Sequence, residues 1–384
     1  MRSPEEILRS GDAFNHIYGT WQRLHFGDEY IGKALVISMV QASISNSRGI
    51  HVTVCGESGW GKSTSISSAM MLLPEDIQNT SDLSPQSLYY STFIKDGDII
   101  FVDDMVWSDG LGATIKKITS DFQKSISRET VHDMEGKTLN SSNKLTFWIS
   151  QVDMHADEQI RDRFIVLEID NSEEHRRGVM DFLKSQASGL IPELSSDLRI
   201  SEDIELCKEI ISNIRSVGPF EIIVPFAQQI IFSGDPRSFK MFLDMIRGFA
   251  MFRYPIRNKD ENGRLIADVA DFNDAVEIYN GIGGIDRNKL SKNEELVMNS
   301  IIRRGEATYA EIGEDTGIPY QSVIYLLYGR GKDSQNNNGL FAKCGNLQKI
   351  DGKPVRIKAT SGEKFVLSPR LMLNTQESTA GAAS

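Results

Sequence analysis

Nine residues, GESGWGKST at positions 56–64, have the types and spacing to hold a phosphate chain. Gly56, Gly61, Lys62 and Ser63 meet the pattern G-x-x-x-x-G-K-[ST]. Glycine at such positions lets backbone N–H groups turn inward around phosphate oxygens without a clashing Cβ. The intervening Glu57, Ser58, Gly59 and Trp60 supply further amides, and Thr64 follows in the first turn of the outgoing helix. That helix presents the positive end of its dipole to the same anion. Lys62 is placed to reach the β- and γ-phosphates, and the Ser63 hydroxyl to ligate a divalent cation. The ligands expected here are ATP and Mg²⁺.

A second constellation lies about 40 residues on. In GDIIFVDD, 97–104, four apolar residues precede two acids, which reads as a fully buried strand ending in carboxylates. This resembles a Walker B motif. Asp103 would hold the Mg²⁺ shell through water, and Asp104 would polarise the attacking water. Asp104 has one methylene less than the glutamate common at this place in hydrolysing motors. A third apolar run, KLTFWISQ at 144–151, ends in polar residues. Gln151 is our choice for the water-orienting group at the end of that strand, with Ser150 in reserve. Farther on, Asp235-Pro236-Arg237 opens a strong helix. A cation in a first turn is unfavourable beside the helix N-terminus, so Arg237 hints at an anionic partner.

These groups need elements to position them. The run 50–55 reads as the strand entering the phosphate loop, and 63–73 as the helix leaving it. Residues 1–48 read as a helical segment, in which Ile17-Tyr18-Gly19 could pack on a base. An α/β core is expected over 49–171, with Glu135-Gly136 as a hairpin tip, and a helical lid over 172–280. After Gly281-Ile282-Gly283-Gly284 the pattern changes. Helices near 292–304, from 308 with Gly317 in the turn after it, and at 319–329 precede strands at 340–343, 355–358 and 364–367. That order predicts a winged-helix domain over 285–370, and residues 371–384 read as a disordered tail. Gln321, Ser322, Lys353 and Arg356 are its candidate DNA contacts.

Composition sets the bounds. The 384 residues are 40% hydrophobic and 25% charged, which fits a two- or three-domain globular chain. Cys55, Cys207 and Cys344 are far apart, without metal spacing or a disulfide framework, which points to a reducing cytoplasm in a prokaryote or the host of a virus. No run approaches the ~18 apolar residues of a membrane span, and the first residues lack a signal-peptide core. The net charge of −11 is unevenly spread: residues 287–370 hold 14 Lys/Arg against 9 Asp/Glu. A basic tail domain on an acidic body is one way to bind DNA.

The order of motifs resembles the AAA+ motor of the minichromosome maintenance (MCM) helicases over about residues 12–280. The segments that carry the likeness are ISRETVHDMEGKTLNSSNKLTFWISQ, IRDRFIVLEIDNSEEHRRG, DPRSFKMFLDMIRGFAMFR and VADFNDAVEIY. The resemblance implies an AAA+ P-loop sandwich of three layers, α/β/α. By it, Arg163 matches the arginine finger and Arg237 the second sensor arginine, each serving a neighbouring subunit. Gln151 falls where the family has Asn, and Lys137 on a hairpin that contacts DNA. The phosphate-loop sequence and Asp104 depart from the family, and only about 50 residues precede the loop. The expectation is a compact helicase of a virus, plasmid or mobile element. It would form a homo-oligomeric ring, expected to be a hexamer, with single-stranded DNA in its pore and duplex at the winged helix. A superfamily 3 viral helicase, and an initiator that uses ATP as a switch without unwinding, are the alternatives. A metabolic P-loop kinase would need neither a trans arginine nor a winged helix.

Overall fold

The computed structural model describes residues 2–132, 135–152, 158–189, 198–232, 235–282, 292–329, 339–343, 347–350, 352, 354–359 and 372–373. The chain divides into two compact units. The first takes in residues 1–230, 236–278 and 373–384, the second 231–235 and 279–372.

The first unit begins with three helices, α1 (Pro4–Ser10), α2 (Ala13–Leu24) and α3 (Glu29–Ser38). Ser3 and Glu6 cap α1 reciprocally, and Gly11, at φ 79°, ends it. Strand β1 (His51–Cys55) then runs into the phosphate loop and α4 (Lys62–Met70). There follow β2 (Gln78–Thr80), the short α5 (Ser87–Tyr90), β3 (Ile99–Val102) and α6 (Asp109–Ser120). The hairpin β4 (Ser127–His132) and β5 (Glu135–Asn140) precedes β6 (Thr146–Gln151), the short α7 (Glu158–Arg161) and β7 (Phe164–Glu168). Helices α8 (Glu173–Ala187), α9 (Leu198–Val217), α10 (Pro236–Phe252) and α11 (Val269–Gly281) complete it.

The central sheet is parallel throughout, in the order β2-β3-β6-β1-β7. Every residue of β1, β3 and β6 is buried, as expected of parallel strands covered on both faces. Side-chain alternation sorts the layers. Phe147, Ile149, Cys55 and Val102 join Leu111, Ile115 and Ile118 of α6 in one core cluster. On the other face, Trp148 donates its indole N–H to Ser38 Oγ of α3 at 2.8 Å, and Trp21 donates to the Ser65 carbonyl of α4 at 3.0 Å. Burying these large apolar side chains supplies roughly 1.5–3 kcal/mol each toward holding the layers together. Of Ile17-Tyr18-Gly19, which could pack on a base or in the core, Ile17 and Tyr18 are core residues, with Tyr18 stacked between Phe14 and Trp21. In the hairpin, the pairing His132↔Glu135 and Val131↔Gly136 puts Glu135-Gly136 inside the second strand rather than at the tip.

In the second unit, α12 (Lys292–Arg304), α13 (Tyr309–Thr316) and α14 (Tyr320–Tyr328) surround a core of Val297, Ile301, Ile312, Val323 and Leu327. Thr308 and Glu311 form a capping box at the start of α13, and Gly317 ends it in the left-handed region. An antiparallel sheet orders Glu306–Thr308, Arg356–Ala359 and Leu347–Ile350, with Arg356–Ala359 in the middle. The run Leu340–Lys343, expected as a strand, is a short helix; Leu340 is buried in the core and Phe341 packs against it. Four apolar-leaning residues carry no periodicity that separates the two states. The expected strand at 364–367 and the tail from 374 lie outside the described residues.

Candidate nucleotide site

The C-terminal ends of the parallel strands meet at the phosphate loop. Gly56, Gly59 and Gly61 all have positive φ, at 149°, 83° and 92°. At Gly56 a Cβ would also sit 2.7 Å from Ile169 Cγ2, so no other residue fits there. The buried Lys62 ammonium donates to the Glu57 carbonyl at 2.8 Å, spanning the loop it would share with phosphate oxygens. Trp60 donates its indole N–H to Glu57 at 3.3 Å, and the Arg176 guanidinium lies over its ring, 4.2 Å from the centroid.

Ser63, Asp103 and Ser150 form the polar knot of the site. Ser63 Oγ donates to Asp103 Oδ1 at 2.5 Å, and Ser150 Oγ donates to the same oxygen. Burial works to raise the Asp103 pKa. The hydrogen bonds from Ser150 and Ser63, the Asp104 amide and the charge of Lys62 outweigh it, and the carboxyl ends below its usual range. The hydroxyl of Ser63 and the anionic carboxylate of Asp103 are the hard oxygen donors that Mg²⁺ takes, so the residues fit that ion. When bound, it supplies charge neutralisation at the phosphates. Asp104 follows in the left-handed region, at φ 45°, with its amide donating to Ser150 Oγ at 3.2 Å. Its exposed carboxylate makes no hydrogen bond or ion pair among the described residues and lines the cleft beside the loop.

Of the two polar residues ending β6, the structure brings Ser150, not Gln151, to this knot. Ser150 is abreast of Val54, shares the face of Trp148 and so points to the α4 side. Gln151 points to the α6 side, where its carbonyl accepts from Trp107 at 2.9 Å and its amide faces Cys55 Sγ. The choice of Gln151 is corrected on this ground: a period of two puts neighbours on opposite faces.

The cleft beyond the loop, about 670 Å³, is walled by Leu24, His25 and Phe26 from the α2–α3 turn and by Val179, Met180 and Leu183 of α8. Sequence reasoning missed this wall. The buried Asp28 carboxylate ties it together: His25 Nε2 is 2.9 Å away, His175 Nε2 3.6 Å, and the Asp170 amide donates to its other oxygen at 3.1 Å. Gly27, at φ 75°, admits the His175 ring, which a Cβ would meet at 2.5 Å. The partners are some 150 residues apart in sequence, so nothing local signalled them.

Arg163 and Arg237 lie elsewhere. Register pairs His51 with Phe164, so Arg163 sits at the N-terminal end of the strands. The four steps from His51 to Cys55 span about 13 Å at the usual strand rise, which puts the arginine at the sheet edge away from its own phosphate loop. Arg163 donates to Ser120 Oγ from Nε at 3.0 Å and Nη2 at 2.9 Å. Arg237 donates to Asp162 at 2.7 Å. Both line one small pocket with Arg48 and Lys240.

Two expected DNA contacts, Gln321 and Ser322, start α14, where Gln321 is exposed beside Tyr320. Arg356 is ion-paired with Glu306 across the small sheet at 2.7 Å, so it is not simply open to phosphate. Lys353 lies outside the described residues. Lys137 pairs with Thr130 in the hairpin.

The profile of the MTBMA_p00010 P-loop domain family matches residues 2–216, more than half of the chain. The chain belongs to that family. It is a P-loop NTPase domain, with the helices before β1 inside the matched region. An uncharacterized protein of Methanothermobacter marburgensis, MTBMA_p00010, is 23% identical over 363 residues, which is 86% of this chain and 44% of that protein. The chain thus spans less than half the length of this relative. No helix among the described residues is long and apolar enough to cross a membrane.

Proposed function

We propose that the chain is the motor of an oligomeric, ATP-driven DNA helicase of AAA+, MCM-like type, serving the replication of a virus, plasmid or mobile element. The observation that carries this reading is the placement of Arg163 and Arg237 at the sheet end opposite the phosphate loop. A guanidinium there is too far to touch its own γ-phosphate, yet it stands on an outer edge where a second protomer's loop can approach. In this reading, Lys62, Ser63, Asp103 and Asp104 come from one protomer. Arg163 and Arg237 come from the next and stabilise the charge that develops on the transferred phosphoryl group.

The strand order supports the AAA+ assignment, because β6 lies between the strands that end in the phosphate loop and in Asp103. In this reading Ser150 is the water-orienting group. The hairpin β4–β5, inserted ahead of β6, is the element that would grip one DNA strand. In the second unit, helices α12 to α14 and their small antiparallel sheet follow the order of a winged helix, whose third helix would meet duplex DNA through Tyr320, Gln321 and Ser322.

A forked duplex with a labelled strand tests this. The wild-type chain displaces the strand with ATP and Mg²⁺, whereas Lys62→Ala and Arg163→Ala do not, and Arg163→Ala still binds nucleotide. ATP turnover with no displacement on any fork or tailed substrate would leave an ATP-switched DNA binder in place of a helicase.

A further inference from the structure

The pocket that holds Arg163 and Arg237 contains two more cations. Arg48 leads into β1, and Lys240 stands three residues after Arg237, past the first turn of α10 and on the same helix face. Neither the Lys240 ammonium nor the Arg48 guanidinium has a hydrogen bond or ion pair among the described residues. Among the described residues, the carboxylates lining the pocket are Asp162 and Asp244. Asp162 is engaged by Arg237 at 2.7 Å. Asp244 is fully buried and is used by the Arg48 amide at 3.0 Å and by Arg247 at 2.7 Å.

Among the described residues, four cations and two carboxylates, each already engaged, line this pocket. Arg237, the second residue of α10, also sits where the helix dipole disfavours a cation. Such a site is completed by an anion. Its space, about 160 Å³, is that of a terminal phosphate group and not of a nucleoside. All four cations line one small pocket, which fits the end of a polyphosphate better than an extended nucleic-acid backbone.

We infer that Lys240 and Arg48 are third and fourth trans cations, which contact the terminal phosphate of a nucleotide held by the neighbouring protomer. This rests on the shared-site reading above and extends it to two residues that no family motif singles out. Lys240 supplies a mobile point charge, and Arg48 closes the pocket beside the start of β1.

The test uses full-length chains carrying Lys240→Ala, Arg48→Ala or Lys240→Arg, and co-expressed mixtures with Lys62→Ala. Lys240→Ala should lower kcat roughly 10- to 100-fold. The affinity of a fluorescent ADP for the chain's own loop should change less than about twofold, and Lys240→Arg should keep most of the turnover. Mixing Lys240→Ala with Lys62→Ala should restore activity, because the first chain brings an intact loop and the second an intact Lys240. A parallel mixture of Arg163→Ala with Lys62→Ala separates the two claims. If that control recovers activity while Lys240→Ala and Arg48→Ala turn over like wild type, or lose activity that mixing does not restore, the trans role of these two cations is wrong. If the control itself fails to recover, the shared site is wrong and this inference falls with it.

Discussion

Replacing Ser150 with alanine removes one hydroxyl at the centre of the polar knot. That hydroxyl donates to Asp103 and accepts the Asp104 amide, so its loss takes one of two hydroxyl donors from a carboxylate oxygen and leaves an N–H without its acceptor. A hydrogen bond to a charged group is worth about 1.5–3 kcal/mol, and the partial exposure of Asp103 trims this to about 1–2 kcal/mol. At about 1.4 kcal/mol per factor of ten, kcat for ATP should fall roughly 5- to 30-fold. The Asp103 carboxyl, with one of its lowering partners gone, should protonate at higher pH, so the acid limb of the kcat profile moves up. Steady-state turnover at saturating ATP and Mg²⁺ reads the fall in kcat, and a profile extended below pH 4 reads the titration, which starts below the ordinary carboxylate range. The comparison is Gln151→Leu, which removes an amide that faces Trp107 on the other side of the sheet. That variant should lose stability and keep kcat within about threefold, because its cost lies in a lost buried hydrogen bond of about 1–3 kcal/mol. A Ser150→Ala chain with wild-type kcat, beside a Gln151→Leu chain that folds but does not turn over, would refute the assignment.

Burial, and to a lesser degree the charge of Arg163, pushes the His51 imidazole down to about 3, so it stays neutral in the folded chain and takes a proton on unfolding below its ordinary 6.5. Stability is therefore full above pH 6.5 and lost as pH falls toward 3; at pH 5 the loss is about 2 kcal/mol, visible as a lower urea midpoint, and a flat midpoint between pH 7 and 5 would contradict it. Arg176→Ala removes the guanidinium over Trp60, a contact of about 0.5–1 kcal/mol, and should change Trp60 fluorescence and weaken nucleotide binding about two- to fivefold; unchanged emission on nucleotide binding in both proteins would count against that contact. Lys137→Ala in the hairpin should leave basal ATP turnover within about twofold of wild type while strand displacement falls at least tenfold, and parallel loss of both would place the hairpin's role elsewhere.

The site was legible wherever chemistry and sequence neighbourhood coincide. Gly56 to Ser63 are contiguous, and the run before Asp103 is a buried strand that announces its own end. Ser150 against Gln151 was not legible, because the choice depends on which face of β6 meets α4, and both residues are polar. The wall of His25, Asp28 and His175 joins residues far apart in sequence, so no local pattern marks it. Tyr18 left base packing and core packing both open, because an aromatic before a phosphate loop fits either role. Its ring is used between Phe14 and Trp21, where the larger apolar area is buried. The segment 340–343 shows the limit from the other side: too short to express a period, it took the helix that buries Leu340 and packs Phe341.

The central claim is that one protomer binds the nucleotide and another finishes its cleavage. The direct measurement is ATP turnover per protomer against particle mass, from dilute to concentrated protein, with a non-hydrolysable ATP analogue fixing the assembled mass. The account predicts turnover that appears only where the mass exceeds that of a single 43.0 kDa chain and that rises with assembly. A single chain that hydrolyses ATP at the full assembled rate would contradict it.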